Sequence, residues 1–376
     1  LRARLALAGT LGEPAFDLQG AAFGLEVLAK GRAAPFARIK LPRLVVSGHG
    51  LDPRRFAPAL PRARLAFSGV FQSDAADRLI GNFALDNALP GRLDQQGLPL
   101  LGLVAAVAGD AERGEVSALE LDFGAAGKLA GEGGWQAGRF RLALDSPRID
   151  LAALDPRLAR TRLRLGLQLS GDAATQRLNL GLGDVWGAGW LALTRTGDVL
   201  ELTGSRFAGE LGRLVASGRW DGARRAFAAR VDLAGFNPSR LGRFPAASLN
   251  LRGEVAGALR PELAVHTRFE LPPGTLEGRP VSGRGRLNYA RGRVFAAALD
   301  LALAGNRVKL DGAAGGPDDR LNWDIAAPAL ARLNLGLSGQ LVSRGQFSGD
   351  WRAPQLRGRV EARALALPGG LGAAVL

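Results

Sequence analysis

Along most of this chain an apolar side chain stands at every second position, with a charged residue, a glycine or a small polar residue between. Leu163, Leu165, Leu167 and Leu169 alternate with Arg164, Gly166 and Gln168, and a period of two is the pattern of a strand with one dry face and one wet face. The same beat returns from Leu119, Phe140, Leu178 and Leu263. A chain written this way must find apolar cover for one side of a very large sheet. What supplies that cover is the functional question.

The 53 glycines and 20 prolines are scattered at the ends of the apolar runs, where turns are expected. No Ser/Gly/Pro-rich spacer separates one half from the other, so residues 1–376 read as one continuous array. Three passages recur: LDPRRF from Leu51, LDPRLA from Leu154 and FNPSRL from Phe236, each followed by a fresh alternating run. Asp or Asn before Pro favours a helix start, the side chain capping free N–H groups and the proline presetting φ. A single helical turn at the rim is therefore expected near 51, 154 and 236, with a fourth re-entry near 328. A second passage, from Gly127, Gly212 and Asn306, recurs upstream of the re-entries. Repeats of roughly 80 to 105 residues imply stacked supersecondary units.

Connections of two to six residues are too short for helical crossovers and predict antiparallel hairpins. Turns are expected at Gly109-Asp110, Gly197-Asp198, Asp221-Gly222 and Gly315-Gly316-Pro317. Some 30 strands at roughly 4.8 Å each would run on the order of 140 Å, and a sheet of that size must curl.

Little of the usual chemistry is available. The chain has no Cys, which excludes disulfides and thiolate ligands and fits an oxidising compartment such as the periplasm. It has no Met and begins with Leu, so it reads as an internal piece of a longer polypeptide. The longest apolar stretch, around Leu101, is broken by Pro99 and Gly102 and is too short for a helical membrane span. Of two histidines, His49 between Gly48 and Gly50 is expected in a turn, and His266 on the wet side of its strand. Gly283-Arg284-Gly285 lacks the third glycine of a dinucleotide fingerprint, and no phosphate loop, nucleophile elbow or metal spacing occurs. No catalytic, cofactor-binding or metal-ligating residue is predicted, and the chain is not expected to be an enzyme. Trp186 and Trp190 flank a Gly-rich bend, either at the lip of a groove or in ordinary packing. The net charge of +14 comes from basic residues spread singly along the strands and answered by 35 acids. That spread favours a solvated face, with anionic lipid head groups as the second reading and no nucleic-acid partner.

Three ways of covering the dry face are open. A transmembrane barrel carries aromatic girdles, and this chain has one Tyr and 6% aromatic residues. A sandwich fills its core with interlocking side chains, usually richer in Phe, Tyr, Ile and Trp than a face of Leu and Ala. The preferred solution is an all-β, mainly antiparallel sheet curled into a U-shaped trough whose apolar interior is only partly filled by protein. Leu163, Leu165, Leu167, Leu169, Leu178, Leu180, Leu182, Leu249, Leu251 and Val255 are the candidate floor residues; packing against one another as ordinary core is their other reading.

The passage LVSRGQFSGDWRAPQLRGRVEARALAL from Leu341, with Gly349, Pro354, Leu356 and Gly358, resembles the TamB family and its AsmA-like relatives. LALAGTLGEPAFDLQG from Leu5 repeats the pattern with Gly12, Pro14 and Gly20, and LNLRGEVAGALRPEL from Leu249 fits the same family. The resemblance implies a β-taco, part of an inner-membrane-anchored protein crossing the periplasm of a Gram-negative bacterium. It further implies phospholipid passage to the outer membrane with a TamA-like outer-membrane barrel, met through regions outside this segment. The alternative function is a chaperone-like scaffold that pairs its edge with unfolded outer-membrane strands by β-augmentation.

Overall fold

The computed structural model describes residues 2–37, 41–58, 60–74, 78–366 and 372–375. It is all-β and antiparallel, and its contacts divide the chain into two compact units, Leu1–Val185 and Trp186–Leu376. The boundary falls in the two-residue connection Val185-Trp186, which is why no linker composition marks it.

The first unit holds β1 (Arg2–Gly9), β2 (Pro14–Ala22), β3 (Leu25–Arg32), β4 (Arg43–Leu51), β5 (Leu65–Ser73) and β6 (Leu79–Asn87). It continues with β7 (Gly102–Gly109), β8 (Arg113–Asp122), β9 (Lys128–Gln136), β10 (Arg139–Ile149), β11 (Leu163–Gly171) and β12 (Thr175–Asp184). The second holds β13 (Gly187–Thr196), β14 (Val199–Gly209), β15 (Gly212–Asp221), β16 (Ala226–Phe236), β17 (Ala247–Ala258), β18 (Ala264–Leu276) and β19 (Arg279–Ala290). It ends with β20 (Arg293–Leu303), β21 (Asn306–Ala314), β22 (Arg320–Ala327), β23 (Ser338–Ser348), β24 (Gln355–Ala366) and β25 (Gly372–Val375). The described strands number 25 rather than about 30, because the connections β4–β5, β6–β7, β10–β11, β16–β17 and β22–β23 each run to ten or more residues. Within each unit every strand pairs with its sequence neighbour, and the series does not close into a barrel: among the described residues β1 pairs with β2 alone and β25 with β24 alone. No helix among the described residues is long and apolar enough to cross a membrane.

Four of the hairpins turn where the sequence analysis places them. Asp110 accepts hydrogen bonds from the N–H groups of Glu112 and Arg113 between β7 and β8, and Gly197, at φ 55°, turns β13 into β14. Asp221 and Gly222 lead from β15 to β16, and Gly315-Gly316-Pro317 from β21 to β22. His49, by contrast, lies inside β4 rather than in a turn. Its register partner is Glu26, whose carboxylate lies 3.4 Å from His49 Nε2.

The rim turns share one construction. Register slips by one residue between Gly48 and Leu51, between Ser146 and Ile149, and between Leu233 and Phe236. Each slip is a β-bulge that bends the strand. An Asx residue follows at once: Asp52 accepts from the Arg54 N–H, Asp150 from the Ala152 N–H and Asn237 from the Ser239 N–H. These caps open the short turns Pro53–Arg55, Leu151–Leu154 and Pro238–Arg240. Asp150 and Asn237 each also take a second N–H, from Thr161 and Ala247, two residues before β11 and at the first residue of β17.

The middle repeat therefore differs from expectation. It has two capping residues: Asp150 opens the turn Leu151–Leu154, and Asp155, at the end of that turn, accepts from the Arg157 N–H at 3.0 Å. Asp150 comes directly after the bulge, as Asp52 and Asn237 do, and the Asp155-Pro156 dipeptide makes a second Asx turn five residues later. The caps that follow the bulges are thus spaced 98 (150 − 52) and 87 (237 − 150) positions apart. The fourth re-entry, Leu330–Leu333, has no side-chain cap of its own. Asn306 of β21 serves it from the neighbouring strand, accepting from the Ala329 N–H and donating to the Ala329 carbonyl, both at 3.0 Å.

Asp155 is buried, and Arg157 Nε donates to it at 2.9 Å. The Arg157 side chain, helped by the Arg157 backbone N–H, holds its carboxyl down to about 2 from an ordinary value of 3.8. A lowered folded value means that the stabilisation is present above about pH 4 and is lost as pH falls towards 2. Asp155→Asn should lower the melting temperature of the chain at pH 7 and leave it nearly unchanged at pH 2. Asp150→Ala should cost about 1–2 kcal/mol in denaturant unfolding, the usual loss on removing an N-cap.

Candidate functional site

Directly paired residues on neighbouring strands project from the same side of a sheet, so registers sort every side chain onto a face. In the first unit one transverse file runs Leu5, Leu18, Ala29, Val46, Gly69, Phe83 and Ala105 across β1 to β7. Past a bulge between β7 and β8 it continues as Leu119, Gly131, Leu144, Leu167 and Leu180 to β12. Every member is apolar or glycine. In the second unit the file Leu193, Leu202, Gly218, Ala229, Val255 and Thr267 continues as Leu287, Ala297, Gly312, Leu321, Phe347 and Leu356, with one hydroxyl in twelve strands.

All ten predicted floor residues lie on these apolar faces. Leu165 stands across from Leu182, Leu167 from Leu180 and Leu169 from Leu178, and Leu163 faces Ile149 across the bulge. In the second unit Leu251 faces Leu233, Leu249 faces Phe236 and Val255 faces Ala229. All ten are half-buried. Leu167 also packs on a small core made by Ala105, Leu119 and Leu144, so it has a structural role that Leu180, one strand further on, lacks within that core.

The packing on this face is shallow. No large side chain among the described residues is fully buried, while Leu7, Leu5 and Leu356 are 65%, 59% and 70% exposed. One cause is a recurrent pairing of aromatic residues with glycines. Phe16 stands directly across from Gly31, Phe67 from Gly48, Phe71 from Gly81, Trp135 from Gly114, Phe269 from Gly285 and Trp323 from Gly345. At each of these glycines a Cβ would come within 3 Å of the facing ring, so the ring lies over the neighbouring strand and occupies the missing side chain's place. Glycines that sequence reasoning assigns to turns are here packing partners inside strands. Gly283 and Gly285 belong to this group, lying under Leu301 and under Phe269 with Leu299.

The opposite faces are polar, and open cavities lie there. His266 is on this side, its Nδ1 3.2 Å from Asn288 Oδ1. Trp190 also stands here, across from Arg206 and half-exposed over Gly204. Across the second unit a file of charges runs Asp232, Arg252, Glu270, Arg284, Asp300, Lys309, Asp324, Arg344 and Arg359. The signs alternate through its first eight members, and adjacent pairs close at 3.6 Å (Arg252–Asp232) and 3.2 Å (Arg344–Asp324). Exposed pairs of this kind each contribute little to stability, but a one-residue slip would move the whole file to the apolar face, so collectively they oppose a wrong register. Sequence reasoning missed this file, because its members are distant in the chain and only the pairing lines them up.

No family model, curated protein or solved structure matches this chain. The case for function therefore rests on the geometry and on the residue pattern.

Gly285→Ala should destabilise the second unit by about 1–3 kcal/mol, the usual cost of overpacking, because the new Cβ would meet the Phe269 ring. Adding Phe269→Leu should return part of that loss. A double-mutant cycle in urea reads the coupling; strict additivity would mean that the ring does not rest on Gly285.

Proposed function

We propose that this chain is a segment of a periplasmic conduit that carries phospholipid between the inner and outer membranes, its acyl chains lying along the apolar faces. In this reading the apolar face lines a U-shaped trough, and the protein is anchored in the inner membrane of a Gram-negative bacterium. A TamA-like outer-membrane barrel would be met through regions outside the segment. The resemblance to the TamB family suggests the setting; the observation that carries the reading is the unbroken apolar file, most of whose side chains outside the small core of Ala105, Leu119 and Leu144 stay partly exposed. A folded core hides such side chains, whereas a surface that hands hydrocarbon from one strand to the next must leave them reachable.

The energetics fit passage without chemistry. Exposing a 16-carbon chain to water costs roughly 13 kcal/mol at about 0.8 kcal/mol per methylene, which makes unassisted crossing of an aqueous gap slow. A file of similar apolar side chains at strand spacing offers nearly equal resting places about 4.8 Å apart, so sliding between them meets only small barriers. Direction must come from elsewhere.

Photocrosslinking amino acids at Leu180 and Leu251, installed in the protein expressed in a Gram-negative host, should yield lipid adducts. The same probe at Gln168, on the polar face of β11, should yield few. Peptide adducts in place of lipid at Leu180 and Leu251 would instead favour a scaffold for outer-membrane protein assembly and overturn the conduit.

A further inference from the structure

A second file of charges crosses the polar face of the second unit beside the first. It begins in the same alternating way, Arg230, Glu254, Arg268, and then the alternation fails: Arg268 stands directly across from Arg286, and Ala298 follows. Arg284, two residues from Arg286 on β19, shares their face. Like charges directly opposite one another destabilise a sheet, so this arrangement costs stability. Three of the nearby carboxylates have other partners: Glu254 lies 3.7 Å from Arg230, Glu270 3.9 Å from Arg252, and Asp300 accepts from Arg307 at 2.7 Å, while Asp311, across from Ala298, lines the same cavity. Among the described residues, Arg268, Arg284 and Arg286 make no hydrogen bond or ion pair.

All three are exposed, and all three line an open cavity of about 1140 Å³. Arg268 and Arg286 also line an adjoining cavity of about 780 Å³. Ala298, beside Arg286, leaves room that a longer side chain would fill. Each guanidinium presents five N–H donors in a planar fork and no acceptor. A carboxylate has two oxygens and satisfies one fork; two forks on directly paired residues, with a third two residues along, suit a group with more oxygens and more charge, which a phosphate ester supplies.

We propose that Arg268, Arg284 and Arg286 seat the phosphate group of a phosphate-bearing ligand on the polar face of the second unit. The seat lies on the opposite side of the sheet from the apolar file and stands independently of the conduit reading, so crosslinking at Leu180 and Leu251 tests one and anion binding the other. The shared chemistry is the phosphate ester, whether on a soluble molecule or on a lipid head group.

Titration of the whole chain with pyrophosphate, followed by calorimetry, should show saturable binding that weakens as salt rises. R268Q and R286Q should each lower the affinity about tenfold or more, the size of one charge-assisted hydrogen bond, while R357Q, elsewhere on the same face, should change it little. Because R286Q removes a like-charge contact, its melting temperature should equal or exceed that of the parent, which separates lost binding from lost folding. Vesicles of phosphatidylcholine with phosphatidylglycerol supply the second arm. Vesicle binding that falls in R268Q and R286Q supports a lipid head group as the source of the phosphate, and vesicle binding that does not fall, beside lost pyrophosphate affinity, supports a soluble ester. The proposal is overturned if R268Q and R286Q bind pyrophosphate as the parent does, or if R357Q costs as much, since scattered surface charge would then explain the binding.

Discussion

The constraint on which this structure depends is that its strands are dry on one side only. With a side-chain period of two, a strand that slips by one residue turns its whole apolar set towards water. The pairing therefore has to stay in phase across every strand boundary, and the unbroken files from Leu5 to Leu180 and from Leu193 to Leu356 show that it does. The three rim bulges obey the same rule. Each inserts one residue on one strand, so that Leu51, Ile149 and Phe236 pair with Leu65, Leu163 and Leu249 on the apolar side. The extra residue is placed next to the Asx-capped turn, where the chain leaves the ladder and the bend is useful.

Much of this was legible in the alternation itself. Period two identifies strands and their dry residues without any knowledge of partners, which is why Leu163 to Leu169, Leu178 to Leu182, Leu249, Leu251 and Val255 all fall on the apolar faces. Asp52-Pro53 and Asn237-Pro238 were readable as caps because capping is local chemistry. In the middle repeat Asp155-Pro156 was readable in the same way, but Asp150, which caps the turn directly after the bulge, has no proline after it. Only the bulge between Ser146 and Ile149 distinguishes the two, and a bulge is a property of pairing. The glycines were obscure for a related reason: a glycine under an aromatic ring looks in sequence like a turn or a weak point. Its partner, such as Phe269 for Gly285, lies on another strand.

The aromatic-on-glycine pairs also explain how so long a chain folds with so little deep burial. A side chain laid over its neighbour's backbone removes apolar area from water without a second layer of structure above it. Each strand thus draws its stability from the two strands beside it, as in stacked-repeat proteins, where nearest-neighbour terms dominate and no central core is needed. The small core of Ala105, Leu119 and Leu144 is a local thickening of this layer at the bulge between β7 and β8. Most side chains of the apolar files stay partly exposed, the property that the conduit reading requires.

The two faces of the second unit answer different demands, and the contrast between its two charge files is informative. On the first file opposite charges alternate from Asp232 to Arg344, an arrangement that agrees with the hydrophobic pattern about which register is correct. On the second, Arg268 and Arg286 stand directly across from each other and break the agreement. When local choices support one another almost everywhere, a lapse of this kind is where function is expected to override stability. That the lapse opens onto a cavity, with Ala298 leaving space beside it, makes an acceptor from outside the chain the simplest group to complete it.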